Sequence, residues 1–287
     1  MESTITTLES EAFPPLLKEI PDPPKQLYCR GALPDPSLQL LAVVGSRSYS
    51  DYGKAVVEKL ISGLRGYSIG IISGLAIGMD SLAHTAALDA HLYTLAVPGS
   101  GLDDSVLYPR RNRVLAQRIL ESGGGLLSEF EPTFHATKWS FPQRNRIMAG
   151  MTHATLVIEA GEKSGTLITS RLATDYNRDV LTVPGSIFSQ NTAGPHMLIK
   201  LGATPATSSE DILEALHIEV ADEQTSASLP ENLSPEEARI LELLSAPRDR
   251  DELIRLLNIS THEASTLLMK MEIYGLITDQ NGIYMRT

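Results

Sequence analysis

The chain has 287 residues, 42% of them apolar and 21% charged, with a formal net charge of −11 and a single cysteine, Cys29. That length suggests about two domains, and the lone thiol excludes an internal disulfide and a cysteine-built zinc site. No window approaches the ~18 uninterrupted apolar residues of a membrane span, and the polar Met1–Ser10 stretch lacks the apolar run of a secretory signal, so a reducing cytoplasm is expected.

Residues 1–36 are proline-rich (Phe13-Pro-Pro15, Pro21-Asp-Pro-Pro24, Pro34-Asp-Pro36) and read as an extended, irregular lead-in packed along the next domain. The apolar runs Leu40–Val44, Ile69–Ile72, Leu92–Val97, Leu126–Ser128, Ala154–Glu159 and Val180–Val183 predict buried strands. Helical patterns fall between and after them: Tyr52–Leu64, Met79–Ala90, Arg111–Leu120, Arg144–Met151, Thr166–Tyr176 and Pro195–Leu201. Val/Ile/Leu strands alternating with amphipathic helices predict an α/β domain over 37–217, a doubly wound parallel sheet covered on both faces. The polar stretch 218–233 reads as a linker.

Residues 234–287 predict a small second module. Ser234-Pro-Glu-Glu237 is a capping box with proline at the first helical position, opening a helix to about Leu244. Helices over Asp251–Leu257 and Thr261–Tyr274 follow, the last closed by Gly275. Alternation from Leu276 to Met285 around Asn281-Gly282 is a hairpin signal. Three helices and a hairpin make a winged helix-turn-helix.

Charge is unevenly spread. Residues 218–287 carry 6 Lys+Arg against 13 Asp+Glu, whereas residues 110–178 carry 10 against 6. A polyanion responds to the local field within a Debye length of about 8–10 Å, so a basic middle can act inside an acidic protein. There, Lys138, Phe141, Arg144 and Arg146 precede a predicted strand, and Lys163-Ser-Gly-Thr166 opens the next helix. An aromatic face stacks on bases, while cations and a helix N-terminus take phosphates, which points to single-stranded nucleic acid. Phe141 stands before Pro142, which predicts an extended backbone there and a helix starting shortly after.

The carboxyl ends of the strands read Gly45-Ser-Arg47, Ser73-Gly-Leu-Ala-Ile-Gly78, Pro98-Gly-Ser-Gly101 and Ser128-Glu129, small residues that let a phosphate approach. A dinucleotide is disfavoured: no G-x-G-x-x-G follows the first strand, no acidic residue ends the second, and no P-loop occurs. His84 and His91 share a helix face without a third metal ligand. Asp80, Glu129 and Glu159 either gather as acid–base groups or hold loops by accepting backbone N–H bonds. No cofactor is called for.

With Val44-Gly-Ser-Arg47, Ser73-Gly-Leu-Ala76, Ala83-His84, Tyr108-Pro109, Phe141-Pro-x-Arg-Asn-Arg146, Glu159-Ala160, Ser164-Gly-Thr166 and Val183-Pro-Gly185 in order, residues 12–216 resemble the DprA/Smf family of DNA-processing proteins. The resemblance implies an extended Rossmann-like domain in a bacterial, cytoplasmic homodimer. It further implies a non-enzymatic protein that binds and protects single-stranded DNA and loads the RecA recombinase onto it in natural transformation. Carried over by position, it makes Ser46, Arg47, Gly74, Arg110, Arg113, Lys138, Phe141, Arg144, Asn145, Arg146, Lys163, Ser164, Gly165 and Thr166 the DNA contacts. Only Phe13–Gly31 stands where many members carry a helical module. Ile77 occupies a position where the family often has a cation. The third winged helix has one Lys, two Glu and no Arg, so a protein-interaction or autoregulatory role is expected for that module. The rival reading is a nucleotide or nucleoside phosphoribohydrolase of the lysine-decarboxylase-like group, echoed by Glu159 and Ser164-Gly-Thr166 but lacking its Pro-Gly-Gly-x-Gly-Thr signature.

Overall fold

The apolar runs form strands β3 (Gln39–Val44), β4 (Ile69–Ser73), β5 (Tyr93–Ala96), β6 (Gly125–Ser128), β7 (Ala154–Val157) and β8 (Asp179–Thr182), which with the short β9 (Thr204–Pro205) pair in parallel. The computed structural model describes residues 4–219, 234–244, 248–257, 259–274, 276–280 and 283–286. It divides into two compact units at Val220.

In the first unit the sheet continues beyond β6 with two antiparallel strands, β2 (Leu27–Gly31) and then β1 (Ile5–Leu8). The order is β1-β2-β6-β5-β4-β3-β7-β8-β9. From β3 the chain winds outward through β4, β5 and β6, then returns to lay β7 on the other side of β3. That reversal is the topological switch point at which open α/β sheets bind ligands.

Helices α1 (Asp51–Ser62), α2 (Met79–Asp89) and α7 (Ser209–Ala215) bury Val57, Leu60, Ile61, Met79, Ala83, Ala87, Ile212 and Leu213 against one face. Helix α3 (Arg113–Glu121) adds Ala116 and Ile119 beside β5 and β6. The opposite face is covered by α4 (Ser140–Met151), with Leu167 of α5 (Thr166–Asp175) and Leu198 of α6 (Ala193–Lys200). Continuous burial along β3 and β4 agrees with a sheet covered on both sides.

Two expectations are corrected here. The supposedly irregular lead-in supplies β1 and β2, and between them Phe13, Leu17 and Ile20 are buried in the core that α4 shares. Strand β2 covers the otherwise open edge of β6. Strand β2 carries Arg30, a residue foreign to a buried strand, but its guanidinium reaches Asp104 at 2.5 Å. The second correction concerns α4, which starts at Ser140 rather than near Arg144, so Phe141 is helical and not extended. Pro142 is compatible with that start, because first-turn N–H groups have no intrahelical acceptor. Helix α7 and the short β9 lie beyond the predicted elements; α7 opens on a Ser208/Asp211 capping box.

The second unit holds α8 (Pro235–Leu243), α9 (Arg250–Leu257) and α10 (Thr261–Ile273). Strands β10 (Arg248–Asp249), β11 (Ile277–Gln280) and β12 (Ile283–Arg286) form an antiparallel sheet in the order β10-β12-β11. Reciprocal capping boxes at Ser234/Glu237 and Ser260/Glu263 set the starts of α8 and α10. Its own core includes Ile240, Leu253, Leu268, Met271 and Tyr284. This is the winged-helix arrangement; the predicted linker from 220 on, Gly275 and the Asn281-Gly282 turn lie outside the described residues. The single lysine of α10, Lys270, is held by Glu237 at 2.8 Å and lies 5.7 Å from the Tyr274 ring. No helix among the described residues is long and apolar enough to cross a membrane.

Candidate functional site

At the switch point the loops after β3 and β7 and the entrance of α4 enclose a cleft of about 770 Å3. Its rim carries Ser46 and Arg47 after β3, Lys138 and Phe141 at the start of α4, and Lys163-Ser-Gly-Thr166 at the start of α5. Arg47, Lys138 and Lys163 are exposed. Their convergence needs the fold, since the three lie on loops far apart in sequence.

Phe141 is held in place from several sides. Its ring centroid lies 5.7 Å from that of Tyr108, and the Arg47 guanidinium carbon stands 5.4 Å from it. Gly99 leaves room for the ring: a Cβ there would come within 2.6 Å of it. An aromatic ring beside a guanidinium, in a cleft that two lysines also line, has the chemistry of a base-stacking and phosphate-binding surface.

The α5 end of the cleft is shaped by backbone. Gly165 is the N-cap and brings no side-chain cap. Ser164 Oγ accepts from the Thr166 N–H at 3.2 Å, and Thr166 Oγ1 donates to the Gly45 carbonyl at 3.2 Å, tying this turn to the β3 loop. The positive end of the helix dipole therefore opens towards Lys163, which favours an anion. Ser46 closes its own loop instead: its hydroxyl donates to the Ser48 carbonyl at 2.9 Å and accepts the Ser48 N–H at 3.1 Å. Asn191, which no motif signalled, joins the site by donating to the Ser48 carbonyl at 3.0 Å.

Several other expected contacts are engaged by the protein itself. Arg144 and Asn145 line the buried floor of the cleft, and the Arg144 guanidinium donates to the Gly74 carbonyl at 2.5 Å, to the Val97 carbonyl and to Asn145 Oδ1 at 3.0 Å. Asp80 lies 3.9 Å from it. Gly74 leaves room for that guanidinium: a Cβ there would come within 2.2 Å of it. Asn145 is likewise buried and engaged. Arg146, two residues along the helix, turns to Glu129 and to Asp22 instead of the cleft. Arg113 is occupied by the Ser105 carbonyl at 2.9 Å and the Leu107 carbonyl at 3.4 Å. Arg110 is exposed close to Tyr108 in sequence but outside the cleft lining.

The carboxylates are tied down in the same way. Glu159 is buried, accepting from the Ser50 hydroxyl at 2.5 Å, the Ser50 N–H at 3.0 Å and Asn191 at 3.4 Å. Asp80 accepts the Ala76 N–H at 3.3 Å; burial pushes its carboxyl up, and the Arg144 charge opposes that rise. Burial also raises Glu129, against the pull of Arg146. Arg144 itself is brought down to about 10 by burial and stays a cation at neutral pH.

His84, on α2, is buried, and burial lowers it to about 3. Thr94 donates its hydroxyl to the Ile71 carbonyl at 2.8 Å, so it accepts from the neutral His84 ring at 2.7 Å. A lowered histidine gives stability that is fully present above the unfolded value of about 6.5 and is lost as pH falls towards the folded one. Between pH 7 and pH 5 this group alone removes about 2 kcal/mol. His153, also lowered by burial, adds in the same direction, while Asp80, raised by burial, opposes at the acid end. Urea midpoints at pH 7 and pH 5 should therefore show a fall that His84→Gln reduces. An equal fall in both proteins would remove His84 as the cause.

Residues 4–217 match the family model for DNA recombination-mediator protein A, and residues 224–282 match the DprA winged helix domain. Protein Smf of Escherichia coli is 37% identical over 288 residues, spanning 97% of this chain and 76% of that protein. DNA processing protein DprA of Streptococcus pneumoniae is 43% identical over 203 residues, 71% of each. Its X-ray structure superposes with a TM-score of 0.69 at 39% identity, covering 76% of both chains. DNA processing protein A of Helicobacter pylori, solved for its single-stranded DNA binding mode, superposes with a TM-score of 0.65 at 28% identity over 75% of this chain and 96% of that one. By its matched domains, its high-coverage relatives and its architecture, the chain belongs to the DprA/Smf family, the DNA recombination-mediator protein A family.

Proposed function

We propose that this protein binds single-stranded DNA without sequence preference in the switch-point cleft, protects it, and loads RecA onto it during recombination in natural transformation. The observation that carries this is the placement of Arg47 against the Phe141 ring in a cleft that Lys138 and Lys163 also line. Cations take successive phosphates and the ring takes a base of any identity, so affinity comes without a base-edge code. The cleft's DNA contacts are Arg47, Lys138, Phe141 and Lys163–Thr166; Arg144, Asn145 and Gly74 support them from below, and Ser46 shapes the loop. The Helicobacter pylori relative, solved for its single-strand binding mode, supports the same chemistry.

A non-enzymatic role agrees with the carboxylates. Asp80, Glu129 and Glu159 each hold protein groups and are spent on loop geometry, which weighs against the hydrolase reading. A homodimer is supported by the adjacent apolar side chains Ile187 and Phe188 in the segment after β8, which are 80% and 93% exposed. Apolar side chains so open to water favour a partner surface. The acidic α10, with Lys270 already paired, supports a protein contact for the winged helix instead of duplex reading.

Anisotropy of a labelled oligo-dT and of its duplex, at two salt concentrations, tests the reading. The single strand should bind more tightly, and its affinity should fall steeply with salt. Added RecA should then assemble faster on the coated strand than on a strand coated by a heterologous single-strand binder. Equal affinity for duplex, or no binding, would refute the cleft; unchanged RecA assembly would refute the loading step alone.

A further inference from the structure

Just outside the cleft, before α4, three aromatic rings meet. Phe130 and Phe134 stack at 4.6 Å with their planes 17° apart. Trp139 stands edge-on to both, 5.7 Å from Phe130 and 5.6 Å from Phe134. Phe130 is buried, yet Trp139 is 55% exposed. An indole needed only as core would be covered; this one is propped by two rings and left open.

The platform is fixed to the sheet. The Gly101 N–H donates to the Phe134 carbonyl at 2.9 Å, the Asp103 N–H to the Pro132 carbonyl at 3.0 Å, and the Ser140 hydroxyl to the Gly99 carbonyl at 2.6 Å. A ring already held in place loses little freedom when a ligand stacks on it. Lys138, which lines the cleft, directly precedes it, and the exposed Glu131 of the same loop interacts with the Tyr28 phenol. Trp139 and Phe141 lie two residues apart, at most about 7 Å between Cα atoms. Successive helical positions turn them to different sides of the α4 entrance. A strand stacked on Phe141 and held by Lys138 thus reaches Trp139 as it leaves the cleft.

We infer that Trp139, supported by Phe130 and Phe134, is a second base-stacking platform that extends the single-strand path out of the cleft. This rests on the single-strand reading of the cleft. The ligand is a nucleobase of any identity, presented by the same strand.

The chain has one tryptophan, so its emission reports this residue alone. Titrating the full-length protein with unlabelled oligo-dT, under excitation selective for indole, should quench that emission along the same isotherm that anisotropy gives for labelled oligo-dT. Trp139→Leu keeps an apolar contact for Phe130 and Phe134 but has no π face; it should weaken binding by about 5- to 100-fold, and Trp139→Phe should recover most of it. A melting temperature of Trp139→Leu near that of the wild type shows that the change is not unfolding; if this variant melts early, the wild-type quenching and Trp139→Phe decide. Binding by anisotropy without quenching, or quenching with full affinity in a folded Trp139→Leu, overturns the platform and leaves the cleft intact. No binding in either measurement overturns both.

Discussion

Replacing Arg144 with alanine is expected to destabilise the first unit by about 3–5 kcal/mol, as loss of one partner of a buried ion pair does. At about 2–4 °C per kcal/mol for a unit of this size, the melting temperature should drop by roughly 6–20 °C. The guanidinium holds the Gly74 and Val97 carbonyls at the ends of β4 and β5, Asn145, and the Asp80 carboxylate. Without it, two carbonyls lose their donor and a buried carboxylate stands uncompensated. Lysine cannot rescue it, because a single ammonium does not span acceptors arranged around a planar fork. Adding Asp80→Asn to Arg144→Met should recover part of the loss, since the uncompensated charge is gone. The measurement is thermal unfolding alongside DNA affinity. A melting temperature within a degree or two of the wild type, with binding abolished, would instead make Arg144 a direct DNA ligand.

Removing the three cleft cations together, Arg47→Ala with Lys138→Ala and Lys163→Ala, should lower single-strand affinity by about 10²–10³-fold at low salt while leaving the fold intact. All three side chains are exposed, and none of them forms an ion pair among the described residues. Each phosphate contact on a single strand contributes about 0.7 to the slope of log affinity against log salt, so the slope should become shallower by about 2. Anisotropy at four or five salt concentrations measures it. A parallel line of lower affinity would mean that the cations act through shape and not through phosphate contact. An unchanged line would place the strand elsewhere.

These two variants separate what one short motif joins in sequence. Phe141-Pro-Gln-Arg-Asn-Arg146 reads as a single basic and aromatic patch, but a helix turns about 100° per residue. Arg144 therefore drops to the buried floor of the cleft while Arg146 swings out to Glu129, and Phe141 stays at the rim. Helix α4 starts at Ser140 and not near Arg144, as Phe141 before a proline suggested, and from that start Arg144 and Arg146 point to different partners.

The strand runs, the capping boxes at Ser234 and Ser260, and the Gly-Ser-Arg and Lys-Ser-Gly-Thr turns were all legible in the sequence. Each depends on residues close together in the chain: apolar runs for the strands, a Ser with a Glu three residues on for the caps, and small residues for the tight turns. The family followed from the order of those same turns. What required the tertiary structure is pairing over long separations. The antiparallel strands β1 and β2 owe their place to β6, some hundred residues on from β2, and their short sequences among prolines carry no trace of that pairing. Asn191 reaches the site only because the turn before α6 folds back onto the β3 loop. Local propensity and spacing specify elements and turns, whereas the directions of Arg30, Arg144 and Arg146 are set by the carbonyls and carboxylates that the packing brings within reach.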